Sequence, residues 1–169
     1  MPHPALIPVA DASAATAADA AAMSTGTPSR ALMQRAGAAA AAEIALRCQE
    51  HLSGGVVVAT GSGNNGGDGW VIARSLHAVG ISVRVVECVA ARSPDAIAER
   101  TLAVDDGVPV STDIASMRAG GERIIVDALL GTGFSAGAPL RGSIAAAVLE
   151  LRALASDGRT LVGIDLPSG

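Results

Sequence analysis

The sequence predicts an α/β domain with an open, mostly parallel β-sheet covered by helices on both faces, in three αβα layers. Short segments that are apolar at every position alternate with longer helical segments, which is the pattern of a parallel sheet buried on both sides. Three loops rich in Gly and Asp each follow one of the apolar segments. The chain has 169 residues, of which 50% are hydrophobic, and this suffices for one domain with its own core.

The composition excludes several classes of function. All 12 basic residues are Arg, so there is no Lys for a Schiff base or for the phosphate contact of a P-loop. One Trp, one Phe and no Tyr leave no stacking platform for single-stranded nucleic acid, and the pI near 5.2 argues against a nucleic-acid surface. No stretch reaches the roughly 18 apolar residues of a membrane span. We therefore expect neither a nucleic-acid partner nor a membrane partner.

The cysteines and the N-terminus predict a cytoplasmic location. Cys48 and Cys88 lie far apart, and neither has a partner at metal-ligand spacing, so both are predicted to be buried free thiols of a reducing compartment. No positive charge precedes the apolar residues of the N-terminus, which argues against a signal peptide. Residues 1–10 are predicted to be an irregular arm, and residues 11–169 the domain.

Two helices are predicted before the first strand. Asp11 is the expected cap of a helix over residues 12–23, and a second helix spans residues 29–51 before two glycines stop it. Apolar side chains recur three and four positions apart along one face of the second helix. These are Leu32, Met33, Ala36, Ala40, Ile44 and Cys48.

Strands and helices then alternate to the end of the chain. The predicted strands are 56–59, 81–86, 108–110, 124–126 and 161–164. The third is at best an edge strand, because Pro109 cannot donate to a ladder. The helices between them are predicted over 68–79, 94–106, 111–120 (short and weak) and 143–154.

The first loop reads GSGNNGGDG over residues 61–69 and contains the GxGxxG dinucleotide fingerprint between a strand and a helix. Glycines let backbone N–H groups approach an anion, and the helix N-terminus adds partial positive charge. The amide carbonyls of Asn64 and Asn65 suit a ligand hydroxyl or a hard cation, and Asp68 serves as a helix cap, a ligand contact or both. The alternative is a tight structural turn, which does not require five glycines.

The other two loops place carboxylates directly after strands. Asp127 precedes a loop that contains Gly131, Gly133 and Gly137, and Asp165 precedes the turn that ends in Ser168. Because strand C-termini of a parallel sheet share one edge, these residues are expected to meet the first loop there. The structural alternatives are that Asp127 ties down loop amides and that Asp165 forms an Asx-type turn. No His lies in these loops, and neither a Ser-His-Asp nor a zinc-ligand pattern is present.

Taken together, the three loops resemble the NAD(P)H-hydrate epimerase family, the N-terminal epimerase domain found alone or fused to a dehydratase. The resemblance rests on GSGNNGGDG (61–69), VDALLGTGFSAG (126–137) and GIDLPSG (163–169), with SRALMQRAGAAAAAEI (29–44) as the family's N-terminal helix. It covers about residues 11–169. It implies a Rossmann-like fold, and an isomerase that interconverts the R and S forms of C6-hydroxylated NADH and NADPH, so that a fused or separate dehydratase can repair the S form.

The resemblance also implies a potassium ion and a set of site residues. Matched position by position, the family's potassium ligands fall on Asn65, Asp127 and Ser168, where the ion would organise the three loops. The sequence leaves the oligomeric state open, with a homodimer as one possibility. The implied substrate-binding residues are Asn64, Asn65, Gly66, Gly67, Asp68, Gly131, Thr132, Gly133, Phe134, Ser135, Ala136, Gly137 and Asp165.

The chemistry needs an acid and a base. The ring-nitrogen lone pair expels the C6 hydroxyl to give an iminium ion, and water returning to the opposite face inverts the carbon. Asp165 is the predicted proton-transfer residue, because Asp127 is assigned to the cation. A carboxyl group has an ordinary pKa of about 3.9, so an acid role requires burial to raise it.

Two departures from the family and two rival functions accompany this hypothesis. Family chains continue beyond the third motif, so the domain is expected to be truncated at Gly169, and any lysine role in the family must be absent here or taken by Arg.

One rival function is that of a nicotinamide-dependent dehydrogenase fragment, with Glu87 as the ribose-binding acid. The other is a non-catalytic nucleotide- or protein-binding module of the same fold.

Overall fold

Helices and strands alternate as the sequence predicts, in a computed structural model that describes residues 12–132, 139–165 and 168. The helices are α1 (Ala12–Ser24), α2 (Ser29–Arg47), α3 (Asn64–Ala78), α4 (Pro94–Asp105) and α5 (Gly142–Ser156). The strands are β1 (Val56–Thr60), β2 (Val83–Glu87), β3 (Val110–Ser111), β4 (Ile124–Ala128) and β5 (Thr160–Gly163), and two 3₁₀ helices span Gln49–Gly54 and Ile114–Arg118. None of the helices in these residues is long and apolar enough to cross a membrane.

The strands form one parallel sheet in the order β3-β2-β1-β4-β5. β1 is central, with Val58 paired to Val85 on one side and to Val126 on the other. All residues of β1 and β4 are buried, as the continuous apolar pattern predicts. β5 lies at the edge of the sheet, and its residues alternate between half-buried and exposed, with Leu161 exposed. The expectation that helices cover both faces of every strand is therefore not met at β5. Apart from this edge, the predicted α/β class and parallel sheet are confirmed.

Helices cover both faces of the sheet and complete the three layers. On one face, residues of α2, α3 and α4 join the sheet in a core around the fully buried Trp70 and Leu76. On the other face, α5 and the second 3₁₀ helix contribute Leu154 and Met117 to a separate core. The two-sided burial of apolar area is the main stabilising contribution of such a fold.

The second helix is shorter than the sequence predicts, and its buried face is shifted. It ends at Arg47 rather than near residue 51, and a 3₁₀ helix with His51 N–H donating to Cys48 O continues the chain towards β1. Its buried positions are Met33, Gly37, Ala41 and Ile44, whereas Ala36 is exposed. Even alanine would not fit in place of Gly37 without a shift of its neighbours, because a Cβ there would lie 2.6 Å from Val71 Cβ in α3.

The third helix begins earlier than predicted. It starts at Asn64, with Gly63 as its N-cap, so four residues assigned to the loop form its first turn. Asp68 is therefore not the cap, so the cap alternative is wrong, and the ligand contact stays a prediction. Glycine disfavours helix by about 1 kcal/mol, which is why the sequence pattern places the start too late. Backbone packing outweighs that preference here, since Gly66 lies against the loop after β1.

Replacing Gly66 by Ala should destabilise the fold by more than about 2 kcal/mol. A Cβ at this position would lie 2.0 Å from the carbonyl oxygen of Gly61, and backbone cannot move aside as a flexible side chain does. Gly63→Ala is the matched control, since a Cβ there has no heavy atom within 4 Å. We expect the control to stay within about 1 kcal/mol of the parent chain in urea unfolding. Equal losses in both variants would contradict the packing argument.

Candidate active site

The candidate site lies where the strand order reverses direction, between β1 and β4. After β1 the chain moves to β2 on one side, and later to β4 on the other, which opens a crevice at the carboxyl edge of the sheet. The loops there touch through their backbones. Gly61 N–H donates to Ala128 O at 3.0 Å, and a Cβ on Gly61 would lie 2.0 Å from Leu129 O. The glycine thus permits an approach that no other residue allows.

Asp127 is buried at the end of β4 and ties two loops together. Its Oδ2 accepts from Ser168 N–H at 2.8 Å, and its Oδ1 accepts from the Ser168 hydroxyl at 2.7 Å and from Leu129 N–H at 3.1 Å. The carboxylate is only 2% exposed. The structural alternative from the sequence, a carboxylate that holds loop amides, therefore describes part of what Asp127 does.

Asn65 joins the same network from α3. Its Nδ2 donates to Leu130 O at 2.9 Å, and Leu130 N–H in turn donates to Ser168 Oγ at 3.1 Å. The other end of the amide, Oδ1, is buried and has no hydrogen-bond partner among the residues that the structure describes. A buried acceptor left unpaired in this way costs free energy, and a bound ion is one way in which the missing contact can be supplied. The predicted trio of Asn65, Asp127 and Ser168 thus converges.

Asp165 follows β5 with a backbone conformation that is rare for a side-chain-bearing residue. Its φ is +61°, the one positive φ at a non-glycine position within the described ranges. Asp and Asn tolerate this left-handed region better than other residues, and such conformations cluster at functional sites. A Cβ on Gly131 would lie 2.8 Å from Asp165 Oδ2 and 3.1 Å from Asn65 Cβ. Gly131 therefore lets these two side chains approach each other.

A cleft of about 410 Å³ opens beside Asp165 and has an acidic lining. It lies between α1, α2, the start of α3 and the loops after β4 and β5, and we call it the acidic cleft. A second cavity of about 500 Å³ continues from it along the glycine loops, over Ser62, Gly63 and Leu129–Thr132. The charged residues that line the acidic cleft, within the described ranges, are Asp19, Asp68, Asp95 and Asp165.

Asp68 lies on the second turn of α3, half-buried in the lining of the acidic cleft. Burial, with a further contribution from the neighbouring charges of Asp165 and Asp19, raises the pKa of Asp68 to about 7. Asp165, in contrast, is exposed, because it follows the edge strand. The expectation that burial would prepare Asp165 as an acid is therefore wrong, and burial favours a neutral carboxyl at Asp68 instead.

The raised pKa of Asp68 makes stability depend on pH. The unfolded carboxyl ionises near its ordinary pKa of 3.8 and the folded one near 7, so the folded state retains a proton that the unfolded state loses between these values. Stability should fall as pH rises through this window and level off above it. We expect Asp68→Asn to gain roughly 2 kcal/mol over the parent chain between about pH 5 and pH 8 in urea unfolding. Asp105→Asn, an exposed change on α4, should show no such gain, and a flat difference for Asp68→Asn would contradict the pKa shift.

Several predicted substrate-binding residues lie together at this edge. Asn64, Asn65, Asp68, Thr132 and Asp165 all line the acidic cleft. Gly66 and Gly67 are buried in the first turn of α3, where they allow close packing, and Gly131 separates the side chains described above. Five predicted residues fall outside the described residues: Gly133, Phe134, Ser135, Ala136 and Gly137.

Two further carboxylates of the cleft were not found from the sequence. Asp19 lies on α1, an Ala-rich helix without a recognisable motif. Asp95 lies in the first turn of α4, where its Oδ2 accepts from Ser29 Oγ at 2.6 Å. Only the packing of α1 and α2 beside the sheet brings both residues to the site, so no local pattern signals them.

Other candidate residues have structural roles. Glu87 is buried and forms a bidentate ion pair with Arg100, with Nε–Oε1 and Nη2–Oε2 distances of 2.7 and 3.0 Å.

Both cysteines are free and buried, as predicted. Burial raises the pKa of the Cys88 thiol to about 12, so this thiol stays protonated at neutral pH. In the described residues, no group of three or more His, Cys, Asp and Glu side chains is placed to hold a metal ion.

Comparison with known proteins gives relatives over most of the chain. It is 40% identical over 158 residues to the bifunctional NAD(P)H-hydrate repair enzyme Nnr of Thermanaerovibrio acidaminovorans, covering 90% of this chain and 30% of that protein. It is 38% identical over 150 residues to the NAD(P)H-hydrate epimerase of Pirellula staleyi, and 35% identical over 146 residues to that of Limosilactobacillus reuteri. These two alignments cover 82% and 85% of this chain and 61% and 65% of the relatives. The chain thus spans less than two thirds of each.

The fold and a family match agree with these relatives. The crystal structure of yeast ynu0, YNL200c, superposes with a TM-score of 0.82 at 26% identity, covering 96% of this chain and 72% of that one. The family described as YjeF-related protein N-terminus matches residues 29–169, which include all three loops of the candidate site. With this match and its NAD(P)H-hydrate epimerase relatives, the chain belongs to the YjeF-related N-terminal, or NAD(P)H-hydrate epimerase, family.

Proposed function

We propose that this chain interconverts the R and S epimers of C6-hydroxylated NADH and NADPH, as an isomerase of nicotinamide nucleotide repair. The observation that carries the proposal is the placement of Asp165 in a left-handed conformation beside Asn65, at the mouth of an acidic cleft. The names of the relatives, which include NAD(P)H-hydrate epimerases, support the same activity.

The two connected cavities suit the two ends of such a substrate. The N-terminus of α3 and the glycine-rich loops after β1 and β4 favour the anionic phosphates. The acidic cleft suits the hydroxylated nicotinamide ring, because loss of hydroxide leaves a positive charge on that ring. Fixed carboxylates next to a developing cation lower the barrier electrostatically. The charge pattern therefore supports a ring-in-cleft orientation.

Asp165 is the proposed proton-transfer residue. Its side chain lines both cavities and makes no hydrogen bond or ion pair to another described residue, so it is available to the C6 hydroxyl. Asp127, by contrast, has both of its oxygens engaged by loop donors. The different surroundings of the two carboxylates support a catalytic role for Asp165 and a structural, cation-holding role for Asp127.

The residues fit a potassium ion. Within the described part of the chain, Asn65 Oδ1 is buried without a partner, while Nδ2 of the same side chain joins a network that reaches Ser168 and Asp127 through Leu130. One carboxylate with amide and hydroxyl oxygens is a hard-oxygen donor set of low charge, which suits a monovalent ion better than zinc or iron. When bound, potassium would supply fixed positive charge that holds the loops after β1, β4 and β5 together. We therefore propose Asn65, Asp127 and Ser168 as its ligands.

The rival functions have less support. A nicotinamide dehydrogenase needs an acid free to bind ribose, and Glu87 is held by Arg100 instead. A non-catalytic binding module remains the second candidate, since it requires only the cavities.

A fused or separate dehydratase partner is proposed because one relative is named a bifunctional repair enzyme, and a homodimer stays a prediction. The buried free thiols support the predicted cytoplasmic location.

The proposal is tested by incubating the purified R hydrate with the protein in potassium buffer and separating the epimers by chiral chromatography. We expect the S hydrate to appear well above the uncatalysed rate. Binding of the hydrate without conversion would replace the epimerase by the binding module. Reduction of NAD by a common alcohol or hydroxy acid would favour the dehydrogenase.

A further inference from the structure

Asp68 is a half-buried ionisable group to which the proposed mechanism gives no role. It lies in the second turn of α3 and lines the acidic cleft together with Asp165, which follows β5. A cavity of about 270 Å³ between α2 and the end of β5 is lined by both carboxylates as well. The two side chains therefore border one space from different elements of the fold.

The surroundings of Asp68 differ from those of a structural carboxylate. Within the described ranges it makes neither a hydrogen bond nor an ion pair, whereas Asp127, Glu87 and Glu99 are all held by donors. Burial and the nearby charges of Asp165 and Asp19 hold its pKa near 7, so protonated and ionised forms coexist at neutral pH. The remaining charged group of the cleft, Asp95, is bonded to Ser29.

A second observation indicates that this space receives a ligand. Asn65, which is 6% exposed, lines the acidic cleft beside Asp68 and Asp165, and its buried amide oxygen has no hydrogen-bond partner among the described residues. The lining of the cleft thus combines a buried acceptor and two carboxylates for which the described residues provide no partner.

Inversion of a carbon by loss and return of water needs a proton donor on one face and a proton acceptor on the other. A single carboxylate lies on one face of the ring and cannot serve both. A pair of carboxylates that reach one cleft from different elements of the fold, as Asp68 and Asp165 do, meets the requirement, provided that one is protonated while the other is ionised.

We propose that Asp68 is a second catalytic residue, which transfers protons on one face of the nicotinamide ring while Asp165 transfers them on the other. This inference rests on the proposed epimerase function and deepens it.

Asp68 gives its proton to the C6 hydroxyl, the C–O bond breaks with its electron pair on oxygen, water leaves, and the N1 lone pair forms the N1=C6 bond. A water molecule on the Asp165 side then attacks C6, its second proton passes to Asp165, and the π pair returns to N1. The opposite epimer results, with Asp68 ionised and Asp165 protonated. Exchange of protons with solvent, to which Asp165 is exposed, restores the starting state.

Oxygen exchange in H₂¹⁸O tests this assignment, because departure and return of water on the same face needs only the carboxylate of that face. Wild-type protein should introduce ¹⁸O into both epimers while it interconverts them. Asp68→Asn should lose interconversion by at least about 100-fold, yet still exchange the hydroxyl of one epimer. Asp165→Asn should show the mirror image, with exchange only in the other epimer. Asp105→Asn, an exposed change on α4, is the matched control and should behave as wild type.

The outcomes separate the inference from the function on which it rests. Interconversion by Asp68→Asn within about threefold of wild type would overturn the second catalytic residue and leave the epimerase intact. Loss of exchange in both epimers by Asp68→Asn, with the hydrate still bound, would also overturn it in favour of a positioning role. Failure of the wild-type protein to interconvert the epimers would overturn the epimerase itself and the inference with it.

Discussion

Replacing Asp127 by Ala is expected to lower the free energy of unfolding by about 3 kcal/mol and to abolish the influence of potassium on stability. The change removes the acceptor for Ser168 N–H and Leu129 N–H, two donors at the boundary of the core. Buried donors without partners cost about 1–3 kcal/mol each. For a domain of this size, the melting temperature should fall by roughly 6–12 °C. Asp157→Ala, an exposed change after α5, should have little effect.

The Asp127→Ala variant also tests whether a potassium ion binds at the proposed site. Ions that bind only the folded state stabilise it by RT ln(1 + [L]/Kd), or about 2.7 kcal/mol at 100 times Kd. The parent chain should melt at a higher temperature in potassium than in lithium at matched ionic strength, since lithium is smaller and more tightly hydrated. That difference should vanish in Asp127→Ala, because the one charged ligand is gone. Identical melting curves of the parent chain in the two salts would refute the potassium site.

Asp165→Asn should reduce epimerisation by about 10³-fold or more while the hydrate binds within about tenfold of wild type. The substitution keeps the size of the side chain, and Asn tolerates the positive φ at this position as Asp does, so the fold is retained. What it removes is the ability to accept and return a proton. Turnover is measured from the separated epimers and binding from a titration at equilibrium. Near-normal turnover would remove Asp165 from the mechanism.

The sheet and the position of the site are predictable from the sequence because their signals are local. Val56–Val58 and Ile124–Val126 are continuous apolar runs, and each is followed by a loop that carries glycine and a carboxylate or amide. Parallel pairing then forces the loop residues to one edge, which is why Asn65, Asp127 and Ser168 meet as the motifs predict.

Other features depend on contacts that a sequence pattern does not show. The start of α3 at Asn64 is set by backbone packing of Gly66 against Gly61, which overrides the low helix propensity of glycine. Asp19 reaches the cleft only through the placement of α1. Asp68 is more buried than Asp165, because Asp68 lies between helices whereas Asp165 follows an edge strand. In each case tertiary packing decides the outcome.

The central claim is that the edge of the sheet carries an epimerase site with Asp165 as a catalytic group. The most direct measurement follows the ratio of R to S hydrate over time, starting once from the pure R epimer and once from the pure S epimer. Wild-type protein in potassium buffer should bring both reactions to one common ratio, well above the uncatalysed rate, while Asp165→Asn at equal concentration should leave both near that rate. Time courses of the wild-type protein that match the protein-free control would contradict the claim.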